Sequence, residues 1–157
     1  MKVALGLTPA VYKEASTILN QLLADEFIIY IKTLNFHWNV VGSDFYALHI
    51  FFQKQYEELL EIADDVAERV RVFGVHAYGS CAEFMEHATV KESSGKKLSA
   101  AQMLEQLCED HETIIRSLRK SVDNLAKIGD EGTSNFLTEL MEKHEKMAWM
   151  LRSFGNK

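Results

Sequence analysis

The stretch GVHAYGSCAEFMEHATVKESSGKKL, residues 74–98, decides the fold because it separates two long helical halves of the chain. At about 25 residues, it is too long to be a structureless loop in a compact domain. Its central run CAEFMEH, residues 81–87, predicts a short helix. We therefore expect the whole stretch to be a crossover that runs the length of a helical bundle.

Outside this crossover, four segments carry apolar residues at helical spacing. They span about residues 9–36, 44–73, 99–125 and 133–155. Short turns join the first segment to the second and the third to the fourth, so each pair should be antiparallel. One long crossover between two helical hairpins is typical of ferritin-like bundles. The predicted fold is therefore all-α, a ferritin-like four-helix bundle with a short extra helix in the crossover between helices two and three. A generic up-and-down bundle is the alternative.

Local signals mark the ends of these helices. Thr8 before Pro9 predicts an N-cap and a first helical residue, and Ser43 is the expected cap of helix two. Ser99 and Gln102 form a capping-box pattern at the start of helix three. Gly155 is expected to end helix four as a C-terminal cap.

Composition limits the classes of function. Only one proline and 8 glycines are present, which favours long helices. The net charge of −6 argues against nucleic-acid binding through overall charge. The apolar N-terminal run is too short for a signal peptide, and no stretch reaches the ~20 apolar residues of a membrane span. Cys81 and Cys108 are isolated thiols, which suits a reducing cytoplasm. We expect residues 1–157 to form a single domain.

The densest cluster of ligand-type residues lies between residues 37 and 68. It contains His37 at the end of helix one, His49 beside the apolar stripe of helix two, and two carboxylates, Asp64 and Glu68, on one face of that helix. Imidazole and carboxylate together are a ligand set that iron accepts. The alternative is structural: the histidines form ordinary hydrogen bonds, and Glu68 pairs with a nearby arginine such as Arg69.

The spacing predicts where such a site would lie. About 15 residues separate His49 from Asp64, which is roughly 22 Å along a helix, so the two cannot bind one ion within a single chain. The same spacing is close to four whole turns, so both groups project on similar sides. Two antiparallel copies of helix two across a two-fold axis would bring His49 of one chain to the carboxylates of the other. None of the six histidines follows a glutamate by three residues, which argues against a di-iron centre inside one bundle.

The sequence resembles the Dps family over nearly its whole length. The likeness lies in the run from His37 to Gly42, in the block Ala67–Glu68–Arg69, and in the final-helix segment HEKMAWML, residues 144–151; Phe45, Leu48, His49, Tyr56 and Asp64 also match. The resemblance implies a hollow dodecamer with ferroxidase sites at two-fold interfaces. His37 and His49 would come from one subunit, and Asp64 and Glu68 from its partner. Fe(II) would be oxidised there by hydrogen peroxide or oxygen and stored as ferric mineral, which protects against oxidative stress.

One position departs from the family pattern. The family usually has a carboxylate four residues after the second histidine, where this chain has Gln53. An amide offers a neutral oxygen, so the resemblance implies a di-iron site with one tight and one weak position. The alternative is a cage whose ferroxidase activity is weakened or lost.

The resemblance assigns further roles. Trp38 is an aromatic beside His37 that accepts oxidising equivalents, or it simply packs at the end of helix one. Asp130 and Glu131 lie where the family has acidic iron-uptake pores; the alternative is an ordinary acidic turn before a helix.

Some family members protect DNA through lysine-rich tails. This chain has only Lys2 before Pro9 and Lys157 at its other end. Twelve chains would carry about −72 in total, which repels phosphate. We therefore expect iron chemistry rather than DNA binding, with a DNA-protecting nucleoid protein as the rival function.

Overall fold

The computed structural model describes residues 3–93, 95 and 97–155. Five helices make up the fold: α1 Pro9–Asn39, α2 Phe45–Val72, α3 Cys81–His87, α4 Ala100–Lys127 and α5 Glu131–Gly155. No strand occurs among the described residues. The all-α prediction is confirmed, and the short helix in the crossover has the predicted bounds. None of these helices is both long enough and apolar enough to cross a lipid bilayer.

The topology is two antiparallel hairpins joined by the crossover. α1 packs along α2 and α4 packs along α5, while α1 also touches α3 and α4. Large side chains without solvent exposure fill the space between the four long helices, among them Leu19, Phe52, Leu59, Leu107, Leu137 and Leu151. This is the ferritin-like arrangement that the connection lengths predict.

Buried polar side chains of α1 hold the crossover in place. Asp25 is 2% exposed and accepts hydrogen bonds from the backbone N–H groups of Thr89 (2.6 Å) and Val90 (2.9 Å). Asn20 accepts from the Tyr78 backbone N–H at 3.0 Å, and Gln21 donates to the carbonyl oxygen of His87. Because a buried backbone group must find a partner, these contacts fix the path of the crossover along α1.

Two of the predicted caps are confirmed. The Thr8 hydroxyl accepts from the Val11 backbone N–H, with Pro9 as the first helical residue. Ser99 and Gln102 form the reciprocal capping box of α4.

One other cap prediction is wrong. Asp44, not Ser43, is the N-cap residue of α2, and the Ser43 hydroxyl donates to the Asp44 carboxylate instead. The described part of α5 reaches Gly155, the predicted end of helix four, and the residues beyond it lie outside the described part of the chain. α5 also starts at Glu131, two residues before the predicted start, because Asp130 caps it.

Candidate metal-binding site

Two histidines meet where α1 ends and α2 begins. His37 lies in the last turn of α1 and His49 in the second turn of α2. Their rings stack with centroids 3.8 Å apart and planes inclined by 20°. Nδ1 of His37 lies 2.8 Å from the carbonyl oxygen of His49, and Nδ1 of His49 lies 2.9 Å from the carbonyl oxygen of His37. Each ring therefore donates to the main chain of the other residue.

This exchange fixes the tautomer of both rings. A carbonyl oxygen only accepts, so Nδ1 carries the hydrogen and, in the neutral ring, Nε2 keeps its lone pair. Histidines that bind metals almost always donate their other ring N–H to a carbonyl, a carboxylate or water. His37 and His49 thus have the hydrogen-bonding pattern that a pair of metal ligands needs, and the same bonds also fit the structural alternative of two hydrogen-bonded histidines.

Aromatic side chains flank the pair. Tyr56 approaches His37 edge-on with ring centroids 5.2 Å apart, and Phe45 lies 5.1 Å from His49. His37 is only 8% exposed, whereas His49 is half-buried. The pair therefore borders the surface of the chain while its ring orientations are fixed by packing.

The predicted carboxylates lie further along α2. Asp64 and Glu68 are both exposed. Arg69 bonds to Thr133 instead of Glu68, and Arg71 donates to the carbonyl oxygen of Val75. The arginines that would have explained Glu68 structurally are therefore engaged elsewhere.

One chain by itself does not assemble the predicted site. Within the described residues of the chain, no three histidine, cysteine or acidic side chains converge to hold a metal ion. The histidine pair and the carboxylates stay apart, as the length of α2 requires.

An apolar depression opens beside Asp64. It has a volume of about 500 Å³, and its lining includes Phe27, Leu60, Ala67 and Phe84. Leu60 is an exposed large apolar side chain, and Phe27 stacks on Phe84 with centroids 4.4 Å apart. Exposed apolar surface of this kind is typical of protein contacts.

Gln53 lies one turn after His49 on α2. Its side chain is half-buried, and its Nε2 donates to Oε1 of Glu57 at 2.8 Å. The amide is therefore held by a carboxylate one further turn along the helix.

Asp130 caps α5. Its carboxylate accepts from the Thr133 backbone N–H (3.0 Å) and from the Thr133 hydroxyl (2.7 Å), and it is 3% exposed. The Arg69 guanidinium donates to the same hydroxyl at 2.9 Å and lies 3.8 Å from the carboxylate. Of the two predicted pore residues, only Glu131 has its side chain on the surface of the chain.

Trp38 points outwards. It follows His37 on α1 but is 67% exposed, so it does not pack at the end of this helix within the chain. Of its two predicted roles, the packing one does not describe the single chain.

A second polar cluster, which the sequence did not predict, lies inside the bundle. It consists of Glu26 on α1, His111 on α4 and His144 on α5, all with 0% exposure. Nε2 of His144 donates to Oε1 of Glu26 at 2.8 Å, and the Nδ1 atoms of the two histidines are 2.9 Å apart. Because two nitrogens share one hydrogen there, one ring donates and the other accepts.

The polar atoms at the two ends of this cluster lack hydrogen-bond partners among the described residues. Glu26 Oε2 and His111 Nε2 are buried and have no hydrogen-bond partner within the part of the chain that the structure describes. Burial, and then the charge of His144, lower the pKa of His111 well below its usual value. The sequence gives one indication of this cluster, because Glu26 interrupts the apolar, core-facing residues of α1. Its hydrogen-bond partner His144, however, lies far away in the sequence.

Comparisons with known proteins agree with the fold. Residues 16–157 match the family model of the ferritin-like domain. An uncharacterised low temperature-induced protein of Nostoc sp. is 45% identical over 98% of this chain and 86% of its own length. A DNA protection during starvation protein of Brevibacillus brevis is 34% identical over 88% of this chain and 93% of its own. The X-ray structure of Dps from Thermosynechococcus elongatus superimposes with a TM-score of 0.90, at 30% identity over 94% of each chain.

Proposed function

The chain belongs to the Dps family of ferritin-like proteins, and on this basis we propose that it is a cage subunit that oxidises Fe(II) and stores the ferric product. Iron storage in a homo-oligomeric assembly follows from the family. The finer proposal is a dodecamer, built from a single domain over residues 1–157, with ferroxidase sites shared between two subunits. Hydrogen peroxide, or oxygen, would be the oxidant, and its removal together with Fe(II) would protect against oxidative stress.

The observation that carries this proposal is the reciprocal hydrogen bonding of His37 and His49. Two stacked imidazoles whose Nδ1 hydrogens are both engaged leave two Nε2 lone pairs free in the neutral state. Nitrogen ligands of this kind suit divalent first-row metals. Fe(II) is the substrate that the pair would bind.

A second copy of the chain would complete the site. Asp64 lines the apolar depression and Glu68 is an exposed carboxylate one turn further along α2, so a partner packed there would receive oxygen ligands for its own histidine pair. The symmetry of a two-fold contact would create two equal sites. Fe(II) bound by neutral imidazoles alone would keep its full charge, and the partner's carboxylates would compensate it.

The oxidation balances simply. Two Fe(II) ions each give one electron, and one hydrogen peroxide molecule accepts both as its O–O bond breaks, which yields two hydroxide ions. Water bound to the ferric product then loses protons as oxide and hydroxide form. The protein residues bind and orient Fe(II), and no side chain needs to change its oxidation state.

Gln53 would make the two iron positions of the site unequal in affinity. Its neutral oxygen replaces the carboxylate that the family usually has there, so we expect one tight and one weak iron position. A neutral oxygen attracts a divalent cation less than a carboxylate does, since the Coulomb attraction scales with charge.

The remaining assignments are also proposals. Glu131 is the surface carboxylate that would line an iron-uptake pore, with Asp130 holding the start of α5 behind it. Trp38, exposed next to His37, would lie near the oxidation site and accept stray oxidising equivalents. A reducing cytoplasm is supported by Cys81 and Cys108, which are both free thiols.

The test is anaerobic titration with Fe(II), followed by stopped-flow mixing with peroxide or oxygen. We expect the wild-type cage to oxidise Fe(II) faster than buffer alone, and faster with peroxide. His49→Ala should lower the rate to that of buffer, because one of two nitrogen ligands is lost. His76→Ala is the matched control, since that side chain is 80% exposed and lies in the crossover. Equal rates for wild type and His49→Ala would contradict the proposal, and a cage no faster than buffer would mean that the activity is lost.

A further inference from the structure

Glu57 holds the amide of Gln53 in one orientation. The two residues lie one turn apart on α2, and Nε2 of Gln53 lies 2.8 Å from Oε1 of Glu57. An ionised carboxylate can only accept hydrogen bonds, so it must be the NH₂ group of the amide that faces Glu57. The reversed amide would set two oxygens against each other and is disfavoured.

The orientation of the nitrogen also sets that of the oxygen. The amide group is planar, with its oxygen and nitrogen on opposite sides of the carbon. Turning the NH₂ group towards Glu57, one turn later, turns Oε1 away from Glu57. His49 lies one turn before Gln53 on the same helix face, since residues four apart are neighbours on a helix surface. The NH₂ group is therefore committed to Glu57, and Oε1 is the atom left for a ligand on the side of His49.

We propose that Glu57 is a positioning residue for the iron site, which acts by making Gln53 present its carbonyl oxygen rather than its NH₂ group to the weak metal position. This inference rests on the proposed function, because it assigns a role at the same site. A metal ion binds the oxygen of an amide, whereas its NH₂ group is a donor and is not a ligand. Without Glu57, the amide would be free to turn either end towards the metal.

The proposal predicts how Glu57 and Gln53 depend on each other. A carboxylate at position 53 has two equivalent oxygens, so its orientation does not matter. Glu57→Ala should therefore weaken metal binding when residue 53 is glutamine and have little effect when it is glutamate. A residue that acted through its own charge, or as a direct ligand, would matter in both backgrounds. A double-mutant cycle separates these cases.

The experiment measures binding of Co²⁺ to the purified cage by isothermal titration and by visible absorption. We expect Glu57→Ala to weaken the weaker Co²⁺ position roughly threefold to fivefold, because only a fraction of the freed Gln53 side chains would then present Oε1 to the metal. In the Gln53→Glu background, the same change should alter the affinity by less than about twofold. Glu57→Gln should lose about as much as Glu57→Ala, because an amide at position 57 bonds either end of Gln53 and so no longer selects one orientation.

The control is Glu61→Ala, which removes an exposed carboxylate one turn further along α2. It should leave the weak position unchanged if orientation rather than general charge is the cause. Equal weakening by Glu57→Ala in both backgrounds, no weakening in either, or the same loss in Glu61→Ala would overturn the inference.

A parallel titration of His49→Ala separates this result from the proposed function. If His49→Ala abolishes Co²⁺ binding and Glu57→Ala has no effect, the metal site stands and only the role of Glu57 fails. If His49→Ala binds Co²⁺ as the wild type does, the proposed site is wrong and the inference falls with it.

Discussion

Replacing His111 with glutamine should make the stability of the protein less dependent on pH. His111 is completely buried, its Nδ1 shares a hydrogen with His144, and its Nε2 has no partner among the described residues. The imidazolium form needs a hydrogen on both ring nitrogens, so it would bury an unsatisfied donor as well as a charge. Burial first, and the charge of His144 second, lower the pKa of His111 well below its usual value of 6.5.

The direction of the pH dependence follows from proton binding in the folded and unfolded states. Below pH 6.5 the unfolded chain takes up a proton at this residue, while the folded chain does not. Since the unfolded state then binds more protons, the free energy of unfolding falls as the pH falls. This contribution is fully present above the unfolded pKa. From about pH 7.5 to about pH 5.5, the loss is on the order of 1 kcal/mol per subunit.

The assay is urea denaturation followed by helical circular dichroism, at one protein concentration because assembly makes stability depend on concentration. The wild type should lose on the order of 1 kcal/mol more per subunit than His111→Gln between the two pH values. His76→Gln is the matched control, since it removes a histidine with an 80% exposed side chain and should keep the wild-type pH dependence. The reasoning about the buried cluster is refuted if His111→Gln loses as much stability on acidification as the wild type.

Three further predictions concern the site and its surroundings. Gln53→Asp should tighten the weak Fe(II) position, since it restores a charged ligand, and an anaerobic titration with unchanged stoichiometry and affinity would count against that role. Asp130→Ala should destabilise the fold by about 1 kcal/mol through loss of the cap of α5, while Glu131→Gln should slow iron uptake at unchanged stability. Thermal melts and uptake kinetics distinguish the two, and the reverse pattern would contradict the assignment. The assembled cage should not shift a DNA fragment in a gel at either low or moderate salt, because its net charge of −6 per chain repels phosphate. A shift at either salt concentration would show that a local basic surface outweighs this net charge.

Local signals made most of the fold predictable. The crossover was too long to be a loop, and its CAEFMEH run forms α3 over the expected residues. Ser99 and Gln102 cap α4 because the capping box depends only on residues three apart. Ser43 failed as a cap because neighbouring Ser43 and Asp44 carry the same type of signal, and the turn after Gly42 decides between them.

Features that depend on tertiary contacts were less predictable. An acidic residue before a helix has the same sequence signal whether it faces a pore or caps the helix, and only the packing of Thr133 and Arg69 distinguishes these roles for Asp130. Glu26 and His144 are 118 positions apart, so no local pattern reveals their hydrogen bond. The candidate metal site could be predicted only in part. Helical spacing places His49 and Asp64 on similar sides of α2, but the reciprocal hydrogen bonds between His37 and His49 are visible only in the folded structure.

The central claim, that two chains build each iron site, is tested most directly by complementation. One inactive variant carries His37→Ala and His49→Ala, and the other carries Asp64→Ala and Glu68→Ala. Dissociating both and assembling them together at equal amounts creates mixed pairs, in which the intact histidines of one chain face the intact carboxylates of the other. The account predicts that the co-assembled cage recovers about a quarter of the wild-type rate of Fe(II) oxidation, since half of all pairs are mixed and each has one complete site. A co-assembled cage as inactive as its two parents, although the subunits have mixed, would contradict it.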